Sequence, residues 1–192
     1  MELNLVEGKP PEKEQSNRDL LRFAVIALLV VIPVRVFVAQ PFVVSGSSMF
    51  PTFANGDYLI INEISYKLGD PQRDDVVIFK YPNDTTKFFI KRVIGLPNET
   101  VDIRGNAVTI TNGEHKNGMK LDQPFVENDS DNNMHFELKS GQYFVMGDNR
   151  NYSSDSRYWG PVARNLMVGK AFLRLLPIKK IGVMPGKYNQ AE

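Results

Sequence analysis

The chain changes character once, near residue 40. From Leu20 to Ala39 almost every position is apolar. Beyond it, apolar residues come in short runs separated by glycine, proline, asparagine and aspartate. As a helix, the first run is about 30 Å long, the thickness of a bilayer's hydrocarbon core, so it predicts a membrane-spanning helix. Two residues oppose that reading. Pro33 kinks a helix, which membranes tolerate. Arg35 lies roughly 6 Å of rise from the end and can reach the interface. A cleaved signal peptide competes with an anchor, but the run is long for one. Phe37 also stands where a small residue is wanted, and Pro41 follows closely.

The later runs predict strands: Tyr58–Ile61, Val76–Phe79, Phe88–Ile94, Ala107–Thr111, Tyr143–Met146 and Val168–Leu176. Between them, Asn55-Gly56-Asp57, Tyr81-Pro82-Asn83-Asp84, Arg104-Gly105-Asn106 and Asn112-Gly113-Glu114 read as turns. No long amphipathic helix and no repeat follow residue 40. The expected fold is mostly β: an N-terminal transmembrane helix, then a coiled antiparallel sheet. Residues 98–140 are more polar, and Glu127 to Asn133 is a run of acids and amides. They predict an inserted hairpin and loops with a solvated surface. Ile178 to Glu192 is too short, and too broken by Lys179, Lys180 and Pro185, for a second span.

Charge orients the chain. Lys9, Lys13, Arg18 and Arg22 precede or open the apolar run, and after Arg35 the next basic residue is Lys67. The positive-inside rule then puts residues 1–18 in the cytoplasm, the anchor at 19–39 and a domain of residues 40–192 outside. The formal net charge is +1, so no strong field attracts nucleic acid. With no cysteine in the chain, disulfides, thiolate nucleophiles and Fe–S sites are excluded. His115 and His135 sit in polar, loop-like surroundings without ligand spacing, which speaks against a zinc site or a Ser-His-Asp triad.

Three blocks carry candidate chemistry. Gly46-Ser47-Ser48-Met49-Phe50-Pro51-Thr52 presents Ser48 on a turn, where nearby N–H groups can face an oxyanion. On a strand, Phe89, Lys91 and Val93 share one face. A lysine among such neighbours loses hydration, which lowers its pKa toward that of a useful base. The competing reading is a lysine whose stem covers apolar surface while its head reaches water. The third block, Gly147-Asp148-Asn149-Arg150-Asn151-Tyr152-Ser153-Ser154-Asp155-Ser156-Arg157, follows a strand and is dense in hydrogen-bonding groups. Alone it would read as a polar loop with an Asp155–Arg157 pair.

In this order, and with the Gly56-Asp57-Tyr58 and Arg73-Asp74-Asp75-Val76-Val77 blocks, the chain resembles the type I signal peptidases, particularly the short Gram-positive bacterial forms. The resemblance covers nearly all of it. It implies a membrane serine endopeptidase with a Ser–Lys dyad that removes signal peptides from exported preproteins after small residues, in Ala-X-Ala fashion. Ser48 would be the nucleophile and Lys91 the general base. Ser153 would orient the lysine amine, Asp155 and Arg157 would support the site, and the Ser48 N–H would help bind the oxyanion. No cofactor and no metal are implied. The implied partners are preproteins and the lipid bilayer, with the enzyme a monomer beside the secretion machinery. Phe42, Phe50 and Phe53 would dip into the outer leaflet, unless they belong to the core. Three departures stand out. Gly46 replaces a serine found in some members, Asp74 replaces a usual glycine, and Leu96-Pro97-Asn98-Glu99 replaces Leu-Pro-Gly-Asp. Two rivals remain: a self-cleaving Ser–Lys protease of similar fold, and a catalytically silent β module that binds exported chains.

Overall fold

The computed structural model describes residues 13–37, 39–127 and 131–188. The chain divides into two units, residues 1–37 and 38–192. The first contains one helix, α1 (Lys13–Phe37). Its apolar side chains Leu20, Leu21, Phe23, Ile26 and Leu29 are each at least 61 % exposed. Arg22 pairs with Asp19 at 3.8 Å near its start. Among the described residues no helix is long and apolar enough to cross a membrane. The expected cytoplasmic tail up to residue 12, and the side chains of the expected anchor beyond Leu29, lie outside the described residues.

The second unit is almost entirely strand. In chain order it has β1 (Ala39–Val43), β2 (Tyr58–Asn62), β3 (Val76–Tyr81) and β4 (Asp84–Gly95). Then come β5 (Thr100–Arg104), β6 (Ala107–Thr111), β7 (Met119–Lys120) and β8 (Asn133–Glu137). The last are β9 (Gln142–Met146), β10 (Val162–Ala163), β11 (Met167–Leu176) and β12 (Gly182–Val183). Helices α2 (Ile64–Leu68) and α3 (Ser156–Trp159) are a turn or so each. The larger sheet runs β1-β2-β11-β3-β4-β9-β10, with β12 on β11, and its pairings are antiparallel.

Every β3 residue from Val76 to Phe79 is buried because the sheet is covered on both faces. Val76 and Ile78 join Met49, Phe53, Leu59 and Ile61 in one apolar cluster. Val77 and Phe79 join Val93, Val145 and Val162 in another. The expected polar insert has more structure than a hairpin with loops. It holds a second antiparallel sheet, β7-β6-β5-β8, with a core of its own around Val101, Ile103, Val108 and Ile110. Ile94, Phe144 and Met146 from the larger sheet complete that core. Gly95 marks the junction: a methyl group there would come within 2.6 Å of Val101 and 2.7 Å of Leu138. Residues 128–130 of the acidic run are outside the described part.

Candidate active site

After β1 the chain is clamped before it turns. Val44 N–H donates to the Asp57 carbonyl and Gly56 N–H to the Val44 carbonyl, both at 2.9 Å. Gly46 then takes φ +92°, open to glycine at little cost, and its N–H donates to Asn55 Oδ1 at 2.9 Å. Past the turn, Met49 and Phe53 plug the core at 1 % and 0 % exposure. Ser48 sits between the exposed turn and that plug. Asn149 holds it from behind: its N–H donates to the Ser48 carbonyl at 3.0 Å and its Nδ2 to the Ser47 carbonyl at 3.1 Å. The Ser48 N–H donates to nothing among the described residues.

Lys91 comes from the buried half of β4 and is 4 % exposed. Its Nζ stands 2.7 Å from Ser48 Oγ and donates to the Ile90 carbonyl at 3.0 Å. Burial pulls its pKa down from 10.5 to about 8. Asp155 and Asp148 oppose the drop, and the Arg157 guanidinium adds to it. A cation of this kind gives up its proton at mildly alkaline pH, and the free amine has its lone pair beside a hydroxyl.

The other expected residues gather behind this pair. Ser153 Oγ is buried and makes no hydrogen bond among the described residues, those of Lys91 included. It lies against Gly147, where a Cβ would overlap both Ser153 Oγ and the Ser48 carbonyl oxygen. Asp155 and Arg157 form a fully buried two-point pair, Nε to Oδ1 and Nη2 to Oδ2 at 2.8 Å each. Asp155 Oδ2 also accepts the Gly147 N–H at 3.0 Å, and Arg157 Nη2 donates to the Arg150 carbonyl at 2.6 Å. The pair thus ties the backbone before Ser153 to the residues just after it. The histidines are elsewhere: His135 meets Asp102 at 2.7 Å on the exposed side of the small sheet, and His115 lies in the turn after β6.

Ser48 and Lys91 open onto a cleft of about 610 Å³. One wall is Phe42 to Ser47 and the other Lys87 to Ile90, with Leu59 and Ile78 also lining it. Among the described residues β1 pairs only with β2, and β4 before Arg92 pairs only with β3. Both walls therefore carry strand edges with free backbone groups. The rings of Phe42 and Phe88 meet at 5.5 Å.

The family described as signal peptidase, peptidase S26, matches residues 17–176. The chain belongs to that family. It is 37% identical over 182 residues to a probable signal peptidase I-2 of Synechocystis, covering 91% of this chain and 79% of that one. A signal peptidase I of Bacillus caldolyticus is 34% identical over 184 residues, covering 88% and 96%. A solved signal peptidase I structure from Enterococcus faecalis is 31% identical, covers 53% of this chain and 97% of that one, and has a TM-score of 0.45.

Two of the residues that depart from the expected pattern fit their backbone. Asp74 and Asn98 have φ +67° and +65°, the left-handed region where glycine is ordinary. Aspartate and asparagine are the side chains that enter it most readily, so both turns keep their shape. Glu99 spans three partners: its carboxylate accepts from Leu96 N–H at 2.8 Å, Arg73 Nη2 at 2.6 Å and Asn112 Nδ2 at 2.9 Å. The three phenylalanines expected at the leaflet divide. Phe50 is 48 % exposed, Phe42 is half-buried, and Phe53 belongs to the core. Its N–H donates to the Met49 carbonyl at 2.8 Å, and both side chains join the same apolar cluster.

Sequence reasoning passed over one feature, a second buried ion pair. Arg92 is 1 % exposed and meets Asp148 twice, Nε to Oδ1 at 2.9 Å and Nη2 to Oδ2 at 2.7 Å. Thr52 Oγ1 donates to Asp148 Oδ2 at 2.5 Å. The strand that carries Lys91 is thereby joined to the loop that carries Ser48. The available signal was the position of Arg92 among Ile90, Val93 and Ile94, since a charge on a buried strand needs a partner.

Proposed function

We propose that the chain is a membrane-anchored serine endopeptidase that cleaves signal peptides from exported preproteins after small residues. The observation that carries this reading is the 2.7 Å approach of a buried lysine amine to the hydroxyl of an exposed turn. With Lys91 neutral, its lone pair takes the Ser48 proton while Oγ attacks the scissile carbonyl carbon. The resulting oxyanion accepts the free Ser48 N–H. Lys91, now an ammonium, protonates the leaving amine, and an acyl ester remains on Ser48. Water gives its proton to Lys91 and attacks the ester; Lys91 passes that proton to Ser48 Oγ as the ester C–O bond breaks, which releases the cleaved signal peptide and restores the neutral amine. Ser153 takes the role of orienting the amine; its buried hydroxyl makes no hydrogen bond among the described residues, to Lys91 or to any other, and so is left available for that role. Asp155 and Arg157 hold its loop.

The substrate enters as an added strand between the two free edges of the cleft. The apolar lining from Val44, Leu59, Ile78 and Ile90 suits small aliphatic side chains near the cut. The exposed apolar face of α1 supports an anchor, since such a surface is satisfied by lipid. The basic residues around its start support a cytoplasmic N-terminus and a β domain on the outer face. The test is cleavage of a preprotein with an Ala-X-Ala site by the full chain in detergent, beside Ser48→Ala and Lys91→Ala. Cleavage after the second alanine by the parent alone is the expected result. Equal cutting by folded variants overturns the dyad.

A further inference from the structure

Two segments outside the cleft meet over the Arg92–Asp148 pair. One is Asp122 to Phe125, just after β7. The other is Met184 to Tyr188, just after β12. The Phe125 ring covers the Arg92 guanidinium, with Cζ 3.8 Å from the ring centroid. From the other segment, the Gly186 carbonyl accepts Arg92 Nη1 at 2.6 Å. Gly186 has φ +77° and is so close to the serine loop that a Cβ would stand 2.7 Å from Thr52 Cγ2. The segments are fastened to each other: Tyr188 packs edge-on against Phe125 at 5.8 Å, and its hydroxyl donates to Asp122. A further link runs from Arg150 Nη2 to Gln123 Oε1 at 2.8 Å.

This arrangement has a physical consequence. Arg92 is the residue next to Lys91, and its partner Asp148 holds Thr52 and is the neighbour of Asn149, which holds Ser48. A buried ion pair is rigid only while its remaining donors are satisfied and water is kept out. Phe125 supplies a ring over the cation and Gly186 supplies an acceptor. None of these segments lines the cleft. We infer that Phe125 and Tyr188 form a clasp that positions the Ser48–Lys91 pair by keeping Arg92 fixed, without touching substrate. The inference rests on the reading of that pair as the catalytic dyad.

The geometry predicts a split in the kinetics. A shift of the dyad by a fraction of an ångström slows the chemical step, while binding along the untouched cleft stays as it was. The experiment compares the full chain in detergent with Tyr188→Ala, Phe125→Leu and Tyr188→Phe on an Ala-X-Ala preprotein, with kcat expressed per folded molecule. Tyr188→Ala and Phe125→Leu should lose about tenfold or more in kcat, with KM within about twofold. Tyr188→Phe keeps the ring against Phe125 and should recover most of the loss. Phe125→Leu keeps an apolar side chain of similar bulk and guards against a fold failure in the alanine variant. The clasp is refuted if folded Tyr188→Ala and Phe125→Leu keep kcat within about twofold, or if their loss falls on KM. Ser48→Ala is run alongside. If it cleaves as the parent does, the dyad reading has failed and not the clasp. If it is inactive beside an active parent, the three variants report on the clasp alone.

Discussion

Replacing Lys91 by methionine should reverse its effect on stability between neutral and alkaline pH. In the folded chain burial holds the amine at about 8, whereas in the unfolded chain it returns to 10.5. At about 1.36 kcal/mol per pH unit, the gap amounts to roughly 3 kcal/mol. The folded-state value is the lower one, so between pH 8 and 10.5 the unfolded chain binds more protons and parent stability rises with pH. Below about pH 8 the whole penalty is present, and above about pH 10.5 it is gone. Methionine has similar length and no proton, but it forfeits the contacts to Ser48 Oγ and the Ile90 carbonyl, about 1 kcal/mol each. The net expectation is a variant about 1 kcal/mol more stable than the parent at pH 7 and about 2 kcal/mol less stable near pH 11. Urea unfolding of the full chain in detergent, followed by the single tryptophan, Trp159, measures both. Trp159 packs against Phe79 and Tyr81 and reports on the β domain. The difference between parent and variant, not either stability alone, isolates this one group. A difference that stays constant from pH 7 to 11 refutes the argument.

Four further outcomes can be measured. The rate of preprotein cleavage should climb about tenfold per pH unit up to about pH 8 and then level off, because only the neutral amine accepts the serine proton; a flat profile from acid to alkaline pH counts against lysine as base. Gly147→Ala should abolish cleavage, since its methyl group claims the space of Ser153 Oγ and the Ser48 carbonyl oxygen; retained activity would mean the loop can move aside. Asp148→Ala should lower stability by about 3–5 kcal/mol, as it leaves Arg92 buried without its counter-ion, and denaturant titration reads this directly. Ser153→Ala should lose much of kcat while the melting temperature changes little, and an unchanged rate removes Ser153 from any orienting role.

Much of the β domain could be read from local pattern. The apolar runs at 58–61, 76–79, 88–94, 107–111, 143–146 and 168–176 all fall within strands. What escaped has physical reasons. β1 is hidden because Gln40 and Pro41 interrupt the apolar residues of Ala39 to Val43, and only its pairing to β2 marks it as a strand. β5 and β8 alternate one apolar residue with one polar residue, so their segment averages to polar although Val101, Ile103 and Phe136 face a core. The Ser48–Lys91 pair was legible as two separate oddities, a serine on a glycine turn and a lysine between Phe89 and Val93. Their meeting across 43 residues is a property of the sheet. The Arg92–Asp148 pair spans 56 residues and leaves no local trace beyond a charge in an apolar strand.

The cleft has strand edges on both sides, so a chain lying in it can be gripped by its own amides from left and right. Every peptide has those groups. Such a seat is indifferent to most of the sequence laid across it and discriminates by what is too bulky to settle. The design of blockers follows from this. A compound that copies one favoured sequence gains little, whereas a stiff, extended backbone with small side groups, already holding the shape of a strand, meets both edges without first losing its freedom.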